Sequence, residues 1–329
     1  MGHALLNETM AYVGKPPWHR LGKPVPPDVT AAEMIKKAGL DWRVTVKPAS
    51  GAREVGRDRY NRYRLAREPI GAEAEAVEFA IVSSRYEPLQ NCEAFAFFDP
   101  VIRAGRAKFE SAGALFDGEV VWVQARLDRS MKIGDDEIAP FLLLSTRHDG
   151  AGSVTARFTP VRVVCQNTLN YAIGKNGATY SISHTREVAA RVRAAGHDAL
   201  LTVLDEAFDG AQKDFDLLAA TPASSSAVGA LVDMLYNRPT PKTGTKGPPR
   251  PPSLWEQVHE RIILQRQGKD PAGADSWWGI YNAITFVEDS AAADTKNGLS
   301  GLNRIWFGSA ADRKIRALRL ITERAGEAA

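Results

Sequence analysis

Cysteine is almost missing: two, Cys92 and Cys165, occur in 329 residues. Two thiols build neither a disulfide scaffold nor a four-ligand zinc site, and such sparing use fits a reducing cytoplasm. The six histidines are scattered, with no pair at metal-ligand spacing. No Gly-x-x-x-x-Gly-Lys-Ser/Thr phosphate loop, no Gly-x-Gly-x-x-Gly after a strand and no nucleophile elbow occurs. No catalytic residue, metal or cofactor is therefore assigned. Long apolar runs are lacking too, none approaching the roughly 20 residues that span a bilayer. The N-terminus has no basic stretch followed by an apolar one, and Leu6 stands where a myristoylation signal needs Ser or Thr. The expected setting is the cytoplasm, with no membrane partner. Neither sign of charge dominates: 42 Lys and Arg against 39 Asp and Glu leave a net +3, which permits a nucleic-acid partner without demanding one.

What is present, 44% hydrophobic and 25% charged residues, is the composition of a globular chain long enough for one large core and a helical appendage. Residues 1–47 read as an N-terminal arm and a short helix. Thr30 is its N-cap, Glu33 the third helical residue and Gly39 its stop. A strand near Trp42 to Lys47 ends that segment, and residues 48–184 read as an α+β core, with strands near Tyr60 to Leu65 and Val77 to Ser83. A helix is expected from an Asn91 N-cap through Ala94, Phe95, Phe98, Ile102 and Phe109, carrying Arg103, Arg106 and Lys108 in its last part; Pro100 kinks it or starts a new turn.

The clearest pattern is an antiparallel meander: Gly118 to Arg129, Ile138 to Arg147 and Ser153 to Val164, punctuated at Gly134-Asp135-Asp136 and Gly150-Ala151-Gly152. A short helix from Gln166 to Ile173 and a strand from Ala178 to Ser183 follow. Residues 185–236 are helical, 237–252 form a basic linker rich in Pro and Gly that can bury little surface, and 253–329 are a C-terminal helical segment.

The stretch from Arg157 to Asn170 concentrates arginines, a cysteine and side-chain amides at the end of the meander. Arg126, Arg147, Arg157 and Arg162 lie on or beside three neighbouring strands, and Asn167 continues the polar surface onto the next helix. These residues suit phosphate or base-edge contacts. Arg162 and Asn167 suit equally well the fastening of that helix to its strand. Between Arg53 and Arg67, arginines including Arg62 and Arg64 alternate with Tyr60 and Tyr63. Such a surface offers phosphate contacts and stacking platforms to a single strand. The alternative is a solvated hairpin whose arginines pair with Glu54, Asp58 and Glu68. Cys165, with His148 and Asn167 as base and orienting group, would make a thiol nucleophile, but a lone cysteine ending an apolar strand reads first as a small core residue. The acidic hairpin Asp135-Asp136-Glu137 is accounted for by turn chemistry.

Trp18-His19-Arg20-Leu21-Gly22, Tyr86-Glu87-Pro88-Leu89-Gln90-Asn91, Gly118 to Trp122, His148-Asp149-Gly150, Thr159-Pro160-Val161-Arg162-Val163-Val164-Cys165-Gln166-Asn167-Thr168-Leu169 and Trp278 to Thr285, with Phe307-Gly308, Lys314, Ala317 and Leu318 beyond them, resemble the phage/plasmid-like protein family, a domain of unknown function. The resemblance implies a source on mobile DNA and a cytoplasmic protein of a bacterial host; it brings no activity or catalytic residue. In outline, the meander and its following helix are similar to the core of single-strand annealing proteins, which form rings or filaments and hold DNA in a basic groove. The expected function is non-catalytic binding of nucleic acid, single-stranded DNA favoured, in recombination or replication of a mobile element, by a homo-oligomer. The alternatives are an enzyme acting on nucleotides or nucleic acid, and a host-directed protein that inhibits defence.

Overall fold

The computed structural model describes residues 5–14, 22–49, 62–162, 180–198, 200–239, 252–269, 275–293 and 301–328. In chain order its elements are β1 (Leu5–Val13), β2 (Lys23–Val25), α1 (Ala31–Lys37), β3 (Val44–Pro48), β4 (Arg62–Arg67), β5 (Val77–Ser83), α2 (Asn91–Ala96), α3 (Asp99–Arg103), β6 (Ala107–Leu115), β7 (Val120–Leu127), β8 (Met131–Ile133), β9 (Asp136–Arg147), β10 (Val154–Arg162), β11 (Tyr180–Ile182), α4 (Val188–Asp198), α5 (Leu200–Ala220), α6 (Ser225–Leu235), α7 (Leu254–Leu264), α8 (Trp277–Ala293), α9 (Gly301–Trp306) and α10 (Ser309–Ala328). The expected α+β class, with antiparallel sheets and a helical C-terminal region, is what the chain adopts. It divides into two compact units, one of Met1–Arg129, Pro140–Phe158 and Ala172–Ala207, the other of Ser130–Ala139, Thr159–Tyr171 and Phe208–Ala329.

The main sheet runs β11-β10-β9-β7-β6-β1-β2, with β8 paired to β9. Its centre is the expected meander. Val120 opposes Arg147 and Arg126 opposes Phe141 along the β7–β9 ladder. Val121, Val123, Ala125 and Leu127 alternate onto one face, and all four are buried. Phe109 belongs to that face through its pairing with Ala125, and the rings of Phe95 and Phe98 lie 5.4 and 6.0 Å from it. Each such fully buried aromatic contributes roughly 1.5–3 kcal/mol by leaving water. The opposite face is buried as well, although it is partly polar. Ser111 Oγ donates to Gln124 Oε1 at 3.0 Å, and Ser145 and Thr155 share a hydroxyl bond of 2.7 Å. Trp122 lies on this face over Gly113, where any Cβ would meet the indole at 2.3 Å.

Two expectations are corrected. The long helix from Asn91 to Phe109 is two short helices and a strand. α3 carries a proline in its first turn, as Pro100 suggested, but Gly105 takes a φ of +67° and turns the chain into β6, which carries Lys108 and Phe109. Asn91 is not the cap of α2 either. Gln90 is, its amide donating to Glu93 Oε2 at 2.8 Å while its side chain bonds the Val44 backbone, and Asn91 is buried and donates to the carbonyls of Leu40 and Trp42. The capping box of Thr30 and Glu33 on α1 forms as expected.

In the second unit, Ser224 caps α6 and Ser253 forms a capping box with Glu256 on α7. The core holds Phe215, Trp278 and Tyr281. Glu288, almost fully buried, accepts from Tyr236 Oη at 2.8 Å and from Arg313 Nε and Nη2 at 2.7 and 2.8 Å. Lys314, fully buried, donates to Asp289 at 2.6 Å. Paired in this way, the buried charges offset part of the desolvation cost that isolated ions would carry in full.

Candidate nucleic-acid interface

Sheet β3-β4-β5 separates its residues by alternation. On the inner face Val44 opposes Arg67, Val46 opposes Leu65 and Leu65 opposes Ala80. A register shift between Leu65 and Ala66 leaves Phe79 as the extra residue on β5, a bulge that re-aims its side chain. The Phe79 ring stacks on His148 with 6.1 Å between centroids. Gly150 packs against the same face, where a Cβ would touch Ala80 and Val82 at 3.1 Å. Arg67 is buried here: Nε donates to the Asp117 carbonyl at 2.6 Å and the guanidinium grips both oxygens of Glu73. These bonds, with one from the Ile70 amide, pull the Glu73 carboxyl down to about 2.

The outer face carries the opposite chemistry. Lys47, Arg64 and Ile81 stand in one row across the three strands, and Arg62 opposes Ser83 in the next. Lys47, Arg62 and Ser83 are exposed, and Ile81, at 54% exposure, is a large apolar side chain facing water. Arg64 pairs with Glu78 at 2.7 Å. Arg62 and Arg64, two residues apart on one strand, are roughly 7 Å apart along it. Arg85, in the turn after β5, is exposed as well. Three cations, one carboxylate and an apolar side chain thus share one open face, a pattern suited to phosphates with a base between them.

The sequence-predicted residues fall into separate places. Arg62 and Arg64 belong to this outer face, but alternation puts Tyr63 on the inner one, opposite Val82. Tyr60, Asn167 and Cys165 lie outside the described residues, as do the helix expected from Gln166 to Ile173 and most of the 237–252 linker; of Arg162 only the backbone is described. Arg126 and Arg147 share one face of the main sheet but sit at opposite ends of the β7–β9 ladder, six residues and roughly 20 Å apart. Trp122, Gln124 and Ser145 are buried between them. Arg126 is exposed and directly opposite Lys108. Burial raises the Glu110 carboxyl on the same strand, against the pull of Arg126. Arg147 is tied to Asp149, whose other oxygen caps the amides of Ala151 and Gly152 in the β9–β10 turn. Arg157 is half-buried, two residues beyond Thr155 on β10. Among the described residues, Arg126 and Arg147 therefore stand apart on the sheet.

Lys47 and Ile81, which share the outer row with Arg64, are not among the residues that the sequence singles out. The polar phase of Trp42 to Lys47 points Lys47 outward, whereas Ile81 reads in sequence as core because it sits in the apolar run Phe79 to Val82.

The catalytic alternative loses two of its parts. His148 is fully buried between Trp42, Phe79 and His184, with no hydrogen-bond partner on either ring nitrogen. Burial, with His184 nearby, pushes its pKa down to about 3, so it is neutral and out of reach of substrate. Asp136 of the acidic hairpin is buried and accepts from Trp278 Nε1 at 2.9 Å. Among the described residues no group of His, Cys, Asp and Glu could hold a metal ion, and no helix is long and apolar enough to cross a membrane.

The family model for a domain of unknown function (DUF932) matches residues 78–305. The match begins within β5, so Lys47, Arg62 and Arg64 precede it. No curated protein and no solved structure matches the chain.

Proposed function

We propose that this chain, which belongs to the DUF932 family, binds nucleic acid, with single-stranded DNA as its favoured ligand. The observation that carries the reading is the outer row of Lys47, Arg64 and Ile81, with Arg62 beside it. Cations supply phosphate contacts whatever the sequence. An exposed aliphatic side chain among them favours a strand whose bases are unstacked, because a duplex hides the base faces that Ile81 would touch. Resemblance to proteins of phages and plasmids, and in outline to annealing proteins, supports a role in recombination or replication of a mobile element by a ring or filament of this chain.

Fluorescence anisotropy with a labelled single strand and its duplex tests the reading. Micromolar single-strand binding at low salt, tighter than for the duplex and weakened by Ile81→Ser, is the expected result. No binding at micromolar protein in low salt overturns it. Sedimentation of the chain with and without oligonucleotide reports the assembly.

A further inference from the structure

We propose that the outer edge of β5 is a contact between two copies of this chain, paired antiparallel about a two-fold axis at Ile81. β3 and β5 are the two edges of the small sheet, and they are finished differently. On β3 the Gln90 side chain takes both backbone groups of Val44, accepting from its amide at 3.0 Å and donating to its carbonyl at 2.9 Å. Pro48 then ends that strand without a donor. β5 has neither device. The Ala49 amide bonds the Arg62 carbonyl, so β4 turns the backbone groups of Arg62 and Arg64 to β3 and those of Tyr63 and Leu65 to β5. Opposite these, Val82 and Ala80 are used in the ladder, and the N–H and C=O of Ile81 point away from the sheet. Among the described residues nothing bonds them.

An open edge carrying a large exposed apolar side chain is a template for another strand. The distribution of charge along β5 selects a second copy of itself. Ile81 has Arg85 four residues beyond it, and Glu78 and Glu75 three and six residues before it. All three charged residues are exposed; Glu78 holds Arg64 of its own sheet, and among the described residues Arg85 and Glu75 make no ion pair. Antiparallel pairing about Ile81 sets Arg85 of each copy beside the Glu75 and Glu78 end of the other, twice over, whereas parallel pairing opposes like charges. Ile81 then meets its own equivalent as a hydrogen-bonded pair that exchanges both N–H···O bonds, and the two side chains leave water together. The bulge at Phe79 ends the open stretch, so the contact is short and the dimer reversible. Being two-fold, it closes on itself, and a ring or filament needs a second contact besides it. Across the axis the outer row of Lys47, Arg64 and Ile81 continues into Ile81, Arg64 and Lys47 of the second copy, strands being about 4.8 Å apart, so the open cationic face doubles. That consequence rests on the nucleic-acid reading; the pairing itself does not.

Sedimentation equilibrium of the full chain without oligonucleotide, from low- to high-micromolar concentration, is expected to show a reversible monomer and dimer. Ile81→Pro removes the edge donor without touching the β4 ladder, and Ile81→Lys sets two like charges on the axis; each should weaken dimerisation about tenfold. Thermal melts show which variants are folded. Ile81→Cys should form a disulfide-linked dimer on mild oxidation, beyond any formed by the parent's own two cysteines, because paired Cα atoms at that position lie about 5.5 Å apart. Ser83→Cys, which falls opposite Phe79 of the second copy, should not. A chain that stays monomeric at high-micromolar concentration, leaving the edge to a foreign extended segment, overturns the proposal. So does a dimer undiminished in folded Ile81→Lys, or equal cross-linking at positions 81 and 83. No readout here involves nucleic acid, so failure of the pairing and failure of single-strand binding are told apart.

Discussion

Lys47 and Arg64 face each other directly across β3 and β4, two cations on the open side of the small sheet. Like charges at opposed positions destabilise a sheet by a few tenths to about 1 kcal/mol. The exposed pair of Arg64 with Glu78 offsets only part of that. Lys47→Thr is expected to leave stability in urea unchanged or about 0.5 kcal/mol higher while weakening single-strand binding. A destabilised variant with full binding would assign Lys47 to the fold.

Arg67, three residues from Arg64, is expected to behave in the opposite way. It is buried on the inner face and holds Glu73 and the Asp117 carbonyl. Removing one partner of a buried pair costs about 3–5 kcal/mol. Glu73→Ala, which leaves the buried Arg67 guanidinium without its counter-ion, should lower the urea midpoint by a corresponding amount, and Arg67→Ala, which leaves only the partly exposed Glu73, by less. Equal stability of Arg67→Ala and the parent protein would contradict the pairing.

The buried histidines set an acid limit. Burial pushes His148 down to about 3 and His184 down to about 4, the latter against an opposing bond to the Glu87 carbonyl. Neither holds a proton in the folded chain at pH 5, whereas the unfolded chain protonates both below the ordinary value of 6.5. Stability is therefore level above pH 6.5 and falls as pH drops from there towards 4, by roughly 2 kcal/mol per histidine at pH 5. Glu73 enters only below its ordinary 4.5. His148→Phe, which keeps the stack on Phe79 and removes two unpartnered nitrogens, should halve the loss between pH 7 and 5 without lowering stability at pH 7. Melting curves at both pH values decide it; an unchanged slope would contradict this placement of His148.

Glu288 is the acceptor shared by Tyr236 and Arg313. Its carboxylate raises the Tyr236 hydroxyl, after burial, and holds the Arg313 guanidinium charged. Arg313→Ala leaves that carboxylate buried and uncompensated and is expected to cost about 3–5 kcal/mol. Tyr236→Phe loses one charge-assisted bond, about 1.5–3 kcal/mol. Calorimetric unfolding of the two variants should rank them in that order, and the reverse order would contradict the network.

Much of the frame was legible because local chemistry agreed with it. Thr30 with Glu33, Val77 to Ser83 and Ser224 before α6 carry their own caps and periods. The meander was legible for the same reason, through alternation on β7 and turn glycines after β9. Where reading failed, a distant contact had won. Phe95, Phe98, Ile102 and Phe109 fit one helical stripe, yet Gly105 ends it, and Phe109 meets the same core from a strand. Asn91 serves carbonyls 49 and 51 residues away, and Asp136 a tryptophan 142 residues away. At the candidate site, composition found the arginines of β4 but could not tell the exposed Arg62 from the buried Arg67. That distinction rests on strand phase and on a carbonyl 50 residues distant.

The salt dependence of single-strand affinity, compared between the parent chain and the variant carrying Lys47→Thr, Arg62→Thr and Arg64→Thr, bears most directly on the outer face as the binding surface. Each phosphate contact contributes a slope of roughly −0.7 to a plot of log affinity against log salt. Three contacts removed should flatten the slope by about 2 and weaken binding at low salt by tenfold or more, with the melting temperature unchanged. A folded triple variant that binds with the parent's affinity and slope would contradict the assignment.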